Sequence, residues 1–283
     1  MKKLACVLIC AALWLTGCGK DDGPMPEDEF LVIAHRGASA YVPENTLASY
    51  ELAEDLDSDY IELDIHLTKD GELVVMHDQD VESTMNASGK ISEFTLDELK
   101  KLSKTSRYKD DKGMAAKGHA EMYAVPALRE VFDQFGDRMN FIIELKDPED
   151  YPGIEEELMD LLEAADMIGS DGDGHPKAVI QSFSEEGLEK IHALNQEIPL
   201  LRLISFEDGE EAQLTAEEIE KLQTYATGIG VSYEALTEPF ISYMKQEGLV
   251  VYAYTVNDQE TALTMKNLGA NGIHTDRPDI LEK

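Results

Sequence analysis

Within Y-I-E-L-D-I-H-L, residues 60–67, Glu62, Asp64 and His66 alternate with Ile61, Leu63, Ile65 and Leu67. That period of two belongs to a strand, so the two acids project from one face of the backbone. A second strand-like run, Glu72–Met76, ends in His77-Asp78. Two neighbouring carboxylates, followed across a short turn by an imidazole, make half of an oxygen-rich cation site. A solvated strand face would alternate in the same way, so the other half has to come from elsewhere in the chain.

Other apolar runs end in polar residues of the right kind. F-L-V-I-A (30–34) leads into His35-Arg36-Gly37, N-F-I-I-E-L (140–145) carries Glu144 and is followed by Lys146, and two further runs carry Gln181 and Arg202. Three carboxylates without cysteine select a hard cation with oxygen ligands, Ca²⁺ or Mg²⁺. Arg36, Lys146 and Arg202 suit an anion, and phosphate is the one that bridges a metal and bases. Two histidines at neighbouring strand ends suit proton acceptance and donation. Residue types alone thus lead to metal-assisted phosphoryl chemistry.

Such residues converge only if strand ends meet. Strand starts at Phe30, Tyr60, Asn140, Lys177, Pro199, Gly228, Leu249 and Asn271 alternate with helical stretches at Leu47–Leu56, Pro152–Met167, Ser184–Asn195, Thr215–Tyr225, Glu238–Gln246 and Asp258–Leu268. Eight such repeats favour an α/β fold of the TIM (β/α)8 type over an open doubly wound sheet. No glycine-rich nucleotide fingerprint follows the first strand, and Gly228-Ile229-Gly230 is an isolated pair. Glu72–Met76 belongs to the second βα connection. A small insertion over 80–124 follows it, irregular except for a helix at Thr95–Leu102 opened by a Thr95–Glu98 capping box. Asn45 or Thr46 is the expected N-cap of the first helix.

The chain of 283 residues has 43% hydrophobic residues, enough for a full core, and a formal net charge of −34. Such an acidic surface repels nucleic acid. All three cysteines, Cys6, Cys10 and Cys18, lie in the first eighteen residues, so the body holds no disulfide framework. Lys2-Lys3, an apolar run from Leu4 to Leu15 and then Leu15-Thr16-Gly17-Cys18 read as an export signal. The ending resembles a bacterial lipobox, which implies removal of residues 1–17 and a lipid on Cys18. Residues 18–29 then read as a polar tether, and 30–283 as the catalytic domain on the outer side of a bacterial envelope membrane. Removal of 1–17 takes Lys2 and Lys3 and no acids, leaving 22 − 58 = −36.

His35-Arg36-Gly37, Pro43-Glu44-Asn45-Thr46, Glu62-x-Asp64, His77-Asp78, Glu144-x-Lys146 and Gly272-Ile273-His274-Thr275-Asp276-Arg277-Pro278 together resemble the glycerophosphodiester phosphodiesterase family. The resemblance runs from about Phe30 to the end, in the family's order. It implies a TIM barrel that hydrolyses glycerophosphodiesters to glycerol 3-phosphate and an alcohol. By motif position it implies Glu62, Asp64 and Glu144 as ligands of one Ca²⁺ or Mg²⁺, and His35 and His77 as the acid–base pair. It further implies Arg36, Lys146, Gln181, Glu44 and Asn45 as substrate-binding residues. His35 is assigned as proton acceptor and His77 as donor. Tyr254 stands where the family often has Trp. Two alternatives are a phospholipase-D-like lyase on lysolipids or sphingomyelin, and a non-catalytic lipoprotein that binds glycerophosphodiesters.

Other residues carry plainer expectations. His66 is either a support for the site or exposed, His119, His175 and His192 are surface residues, and His274 is packing. Asp171-Gly172-Asp173-Gly174 reads as a turn rather than a Ca²⁺ loop. Lys104–Met122 is a basic stretch that either draws anionic diesters to the barrel mouth or has incidental charge.

Overall fold

The computed structural model describes residues 25–26, 29–83, 87–102 and 124–281. Nine strands form one sheet: β1 (Leu31–Ala34), β2 (Tyr60–Leu67), β3 (Leu73–Val75), β4 (Asn140–Leu145), β5 (Ala178–Ser182), β6 (Leu200–Ile204), β7 (Gly228–Ser232), β8 (Val250–Tyr254) and β9 (Gly272–Thr275). All but β3 run parallel in chain order, and β1 pairs with both β2 and β9, which closes an eight-stranded barrel. The TIM-barrel expectation therefore holds, with each strand where the sequence alternation put it. β3 pairs antiparallel with the end of β2, Ile65 opposite Val75, and so forms a hairpin inside the second connection.

The helices are α1 (Leu47–Asp55), α2 (Leu96–Lys101), α3 (Leu128–Phe135), α4 (Ile154–Ala164), α5 (Glu185–Leu194), α6 (Ala216–Leu222), α7 (Glu238–Gln246) and α8 (Gln259–Leu268). Thr46 caps α1 and Ser184 caps α5, each hydroxyl accepting from a backbone N–H three residues on. Thr95 and Glu98 form the expected capping box of α2. α3 is not among the helices expected from sequence, although Leu128, Val131, Phe132 and Phe135 keep i, i+3, i+4, i+7 spacing and are all buried. The described part of the insertion is less irregular than its composition suggests. Ile91 and Leu99 join Val74, Met76, Val81 and Val125 in a small core beside β3. The basic stretch Lys104–Met122 lies outside the described residues, as do His119, Cys18 and the export signal.

Two apolar layers hold the barrel. The larger packs the outward strand residues against the helices. The smaller lies inside the barrel and joins Leu31, Ile33, Tyr60, Ile142, Val179, Leu201, Val250 and Tyr252. Because strand side chains repeat every two residues, the same inward faces continue as His35, Glu62 and Asp64, Glu144, Gln181, Leu203 and Tyr254 toward the strands' carboxyl ends. The interior is thus hydrocarbon at its base and acid, amide and imidazole at its mouth. Gly272 is needed where it stands: a Cβ there would lie 2.4 Å from the Leu31 carbonyl oxygen and 3.0 Å from the Tyr252 ring. Gly228 and Gly230 lie within β7, so that pair makes close barrel contacts, not a nucleotide loop. Met25, inside the stretch that reads as a free tether, is 1% exposed and belongs to this interior layer.

Candidate active site

β2 carries Glu62 and Asp64 inward, and its neighbour β4 places Glu144 directly beside Asp64 in register. One oxygen from each of the three carboxylates lies within 4.8 Å of the others. All three are buried, Glu62 and Asp64 to 1% exposure or less. Charges this close and this dry resist ionisation. Burial, with the neighbouring acids, pushes Glu62 well above the usual carboxylate range, and Glu144 is raised for the same reasons. Burial opposes ionisation of Asp64 too, but Arg36, Lys146, His77 and Asn45 overcome it and hold its pKa low.

The cations come from adjoining loops. Arg36 adopts φ 59°, and the following Gly37 φ 81°, so the chain folds back at the end of β1. This turn lets the Arg36 N–H donate to Glu62 at 2.8 Å while its Nε sits 3.5 Å from Asp64 and its Nη1 donates to Glu44 at 3.2 Å. Lys146, just past β4, donates to Glu144 at 2.8 Å and lies 3.7 Å from Asp64. Both cations have raised pKa values because the acids outweigh burial. Gln181 on β5 donates from Nε2 to Glu62 at 3.3 Å.

Two imidazoles flank the acids, each held by a carboxylate. His35 Nδ1 and Asp276 Oδ1 are 2.7 Å apart, and Asp276 also accepts from Ser39 at 3.0 Å and Asn257 at 2.6 Å. His77 Nδ1 and Asp78 Oδ1 are 2.7 Å apart. With the proton assigned to Nδ1 in each ring, Nε2 is left as the working nitrogen. Burial, then Arg36 and Lys146, lower the His77 pKa, partly countered by Asp64 and Asp78.

His35, Arg36, His77, Glu144, Lys146 and Gln181 line one cavity together with Phe183, Leu203, Tyr254, Thr255 and His274. The other singled-out residues are placed around this cavity or away from it. Asn45 is buried behind the acids, its Nδ2 donating to Asp64 at 2.8 Å and its Oδ1 accepting from Tyr50 at 2.9 Å, so it sets the acid's orientation. Glu44 faces Arg36. Arg202 donates to the carbonyls of Leu203 and Ser182. His66 is buried, 3.1 Å from the His77 carbonyl and tilted at 60° against the Tyr151 ring, which makes it a support for His77. His274 reaches the cavity wall with an unpartnered Nε2, and burial brings its pKa down to about 3. Asp171 accepts from the N–H groups of Asp173 and His175, so that loop is a self-capped turn. Asp276 is the residue that reasoning from sequence left without a role. Its signal was its place one residue past the last strand, which barrel closure brings beside β1.

The donor set fits a hard divalent cation. Three oxygen anions are crowded to the point where two hold raised pKa values, and Gln181 Oε1 is a buried acceptor with no partner. A closed (β/α)8 barrel with acids, cations and paired imidazoles at the strands' carboxyl ends defines a barrel enzyme with a site for an anionic substrate. Residues 35–280 match the sequence profile of the glycerophosphoryl diester phosphodiesterase family, and the chain belongs to it.

The chain is 39% identical over 259 residues to a glycerophosphodiester phosphodiesterase of Bacillus subtilis, covering 90% of this chain and 86% of that one. A homologue of the same name from Caldanaerobacter subterraneus is 32% identical over 254 residues, with 89% and 96% covered. Among solved structures, an Oleispira antarctica phosphodiesterase in complex with the product sn-glycerol-3-phosphate aligns with a TM-score of 0.69 at 30% identity, covering 88% of this chain and 93% of that one. A Silicibacter pomeroyi structure with a TM-score of 0.76 at 23% identity, covering 91% and 93%, repeats the fold.

Proposed function

We propose that the chain hydrolyses glycerophosphodiesters to glycerol 3-phosphate and an alcohol, with one divalent cation, Ca²⁺ or Mg²⁺, at Glu62, Asp64 and Glu144 and with His35 and His77 exchanging protons. The observation that carries this reading is a cavity lined by two carboxylate-held imidazoles and by Glu144, which joins it to the buried cluster of Glu62, Asp64 and Glu144. The product named for the Oleispira phosphodiesterase supports the substrate class.

A bound cation would neutralise phosphate charge and polarise phosphorus. Arg36 and Lys146 border the cavity and would hold the non-bridging oxygens. The lowered pKa of His77 suits its Nε2 to taking the proton of the attacking hydroxyl. That favours the allocation opposite to the one read from sequence. His35, held through Nδ1 by Asp276, then gives the leaving alkoxide its proton as the ester P–O bond breaks. The attacking oxygen is that of water, or of the neighbouring glycerol hydroxyl with a cyclic phosphate opened by water afterwards; both routes use the same pair. Lipidation at Cys18 and an outward-facing envelope location complete the reading, supported by Lys2-Lys3, the apolar run and Leu15-Thr16-Gly17-Cys18.

Release of glycerol 3-phosphate from a panel of diesters, with and without chelator, tests this. Chelation should abolish turnover and Ca²⁺ or Mg²⁺ restore it. His77→Ala should lower kcat by about 10²–10⁴-fold. Full turnover in chelator, or in the His77 variant, would end the proposal.

A further inference from the structure

The end of the barrel opposite the cavity carries the chain's own amino-terminal segment. Met25 is 1% exposed and belongs to the interior cluster that includes Leu31, Tyr60 and Val250, the first residues of β1, β2 and β8. It therefore stoppers the barrel's base. The residues around it agree: Glu29 pairs with His175 at 3.3 Å, and Tyr60 donates to the Pro176 carbonyl at 3.0 Å, both in the loop that enters β5 from below. The catalytic groups sit at the other pole, on β2 and β4 toward their carboxyl ends and in the segments that follow β1, β3, β4 and β9.

We infer that the anchored protein stands base-down on its membrane, with the active-site mouth turned away into the aqueous phase. Its substrates are then water-soluble diesters arriving from solution, and lipids of its own bilayer are out of reach. This rests on the lipid anchor and the phosphodiesterase activity proposed above.

The reach of the chain decides it. Cys18 lies seven residues before Met25 (25 − 18 = 7). Fully extended, that span covers at most about 25 Å. A domain of this length has a radius of gyration of about 18 Å, hence a radius of about 23 Å and a path of about 70 Å from pole to pole around its surface. Covalent length alone ties the lipid to the base and keeps the mouth from the bilayer. No helix among the described residues is long and apolar enough to cross a membrane.

The only tryptophan, Trp14, lies in the export signal, so the processed chain supports single-tryptophan reporters. Asp173→Trp marks the base and Asp208→Trp, in the loop after β6, marks the mouth; both positions are exposed. The full chain is expressed for processing in a bacterial host and reconstituted into vesicles of neutral lipid with a dansyl lipid in the outer leaflet. Flotation reads the anchor, glycerol 3-phosphate release from a soluble diester reads the activity, and energy transfer reads the orientation. Transfer from position 173 should exceed that from 208 severalfold, with turnover of the soluble diester unchanged by anchoring. Equal or reversed transfer on floating, active protein overturns the orientation alone. Protein that does not float overturns the anchor and the inference with it, whatever its turnover. Floating protein with the expected transfer but no turnover keeps the orientation and overturns the activity reading.

Discussion

His77 shows how much a single ring's surroundings decide. Its pKa is pulled below the ordinary value of about 6.5 by burial and by Arg36 and Lys146, and held up in part by Asp64 and Asp78. A proton acceptor works only while neutral, so a lowered pKa extends activity toward acid. The acidic limb of the kcat/KM profile should lie below about pH 6.5. Asp78→Asn removes one of the raising partners and should move that limb to still lower pH. A limb that stays put or moves toward neutrality would show that His77 is not the acceptor. From sequence, His77 is visible as a histidine after a strand; its depressed pKa is not, because the burial and the two cations come from three separate stretches of chain.

At the scale of elements, the tight turn after β1 does most to assemble the site. Arg36 and Gly37 both take positive φ, and Gly37 has no room for a side chain: a Cβ would lie 2.4 Å from Ser49 Oγ and 2.7 Å from the Ser49 carbonyl carbon. Ser49 in turn sits in the capping box of α1 and donates to the Arg36 carbonyl at 3.0 Å. The first helix and the catalytic turn are therefore one unit. Gly37→Ala should cost about 1–3 kcal/mol, through the strained φ and the clash. Urea denaturation should show a lower midpoint with an unchanged slope, and kcat should fall because the Arg36 N–H loses its place on Glu62. An unchanged midpoint would mean that the turn tolerates the methyl group.

For the whole molecule the dominant quantity is charge. A net charge of −34, spread along the chain, makes the folded state repel itself. Screening shortens that repulsion, since the Debye length falls from about 30 Å at 0.01 M salt to about 8 Å at 0.15 M. Tm measured in chelator should therefore rise over that range of NaCl, where the added salt does not fill the acid cluster. A flat or falling Tm would show that paired surface charges, such as Arg138 with Glu54, outweigh the net repulsion. The same acidity gives Arg36 and Lys146 their importance, because among the described residues lining the cavity they are the arginine and lysine that an anionic diester meets.

Strand alternation, helix caps and the breaks between them determined the barrel from sequence alone, because a period of two and a period of 3.6 are local properties of the chain. The same alternation put Glu62 and Asp64 on one face and marked His35, His77, Glu144 and Lys146 as strand-end residues. Only the tertiary structure decided what those residues touch. Asp276 reaches His35 across 241 positions through barrel closure, Asn45 turns out to orient Asp64, and Arg202 spends its charge on backbone carbonyls. Met25 passed for tether because a lone methionine among polar residues has no period to reveal it. Its burial depends on an opening that exists only once eight strands have closed around it.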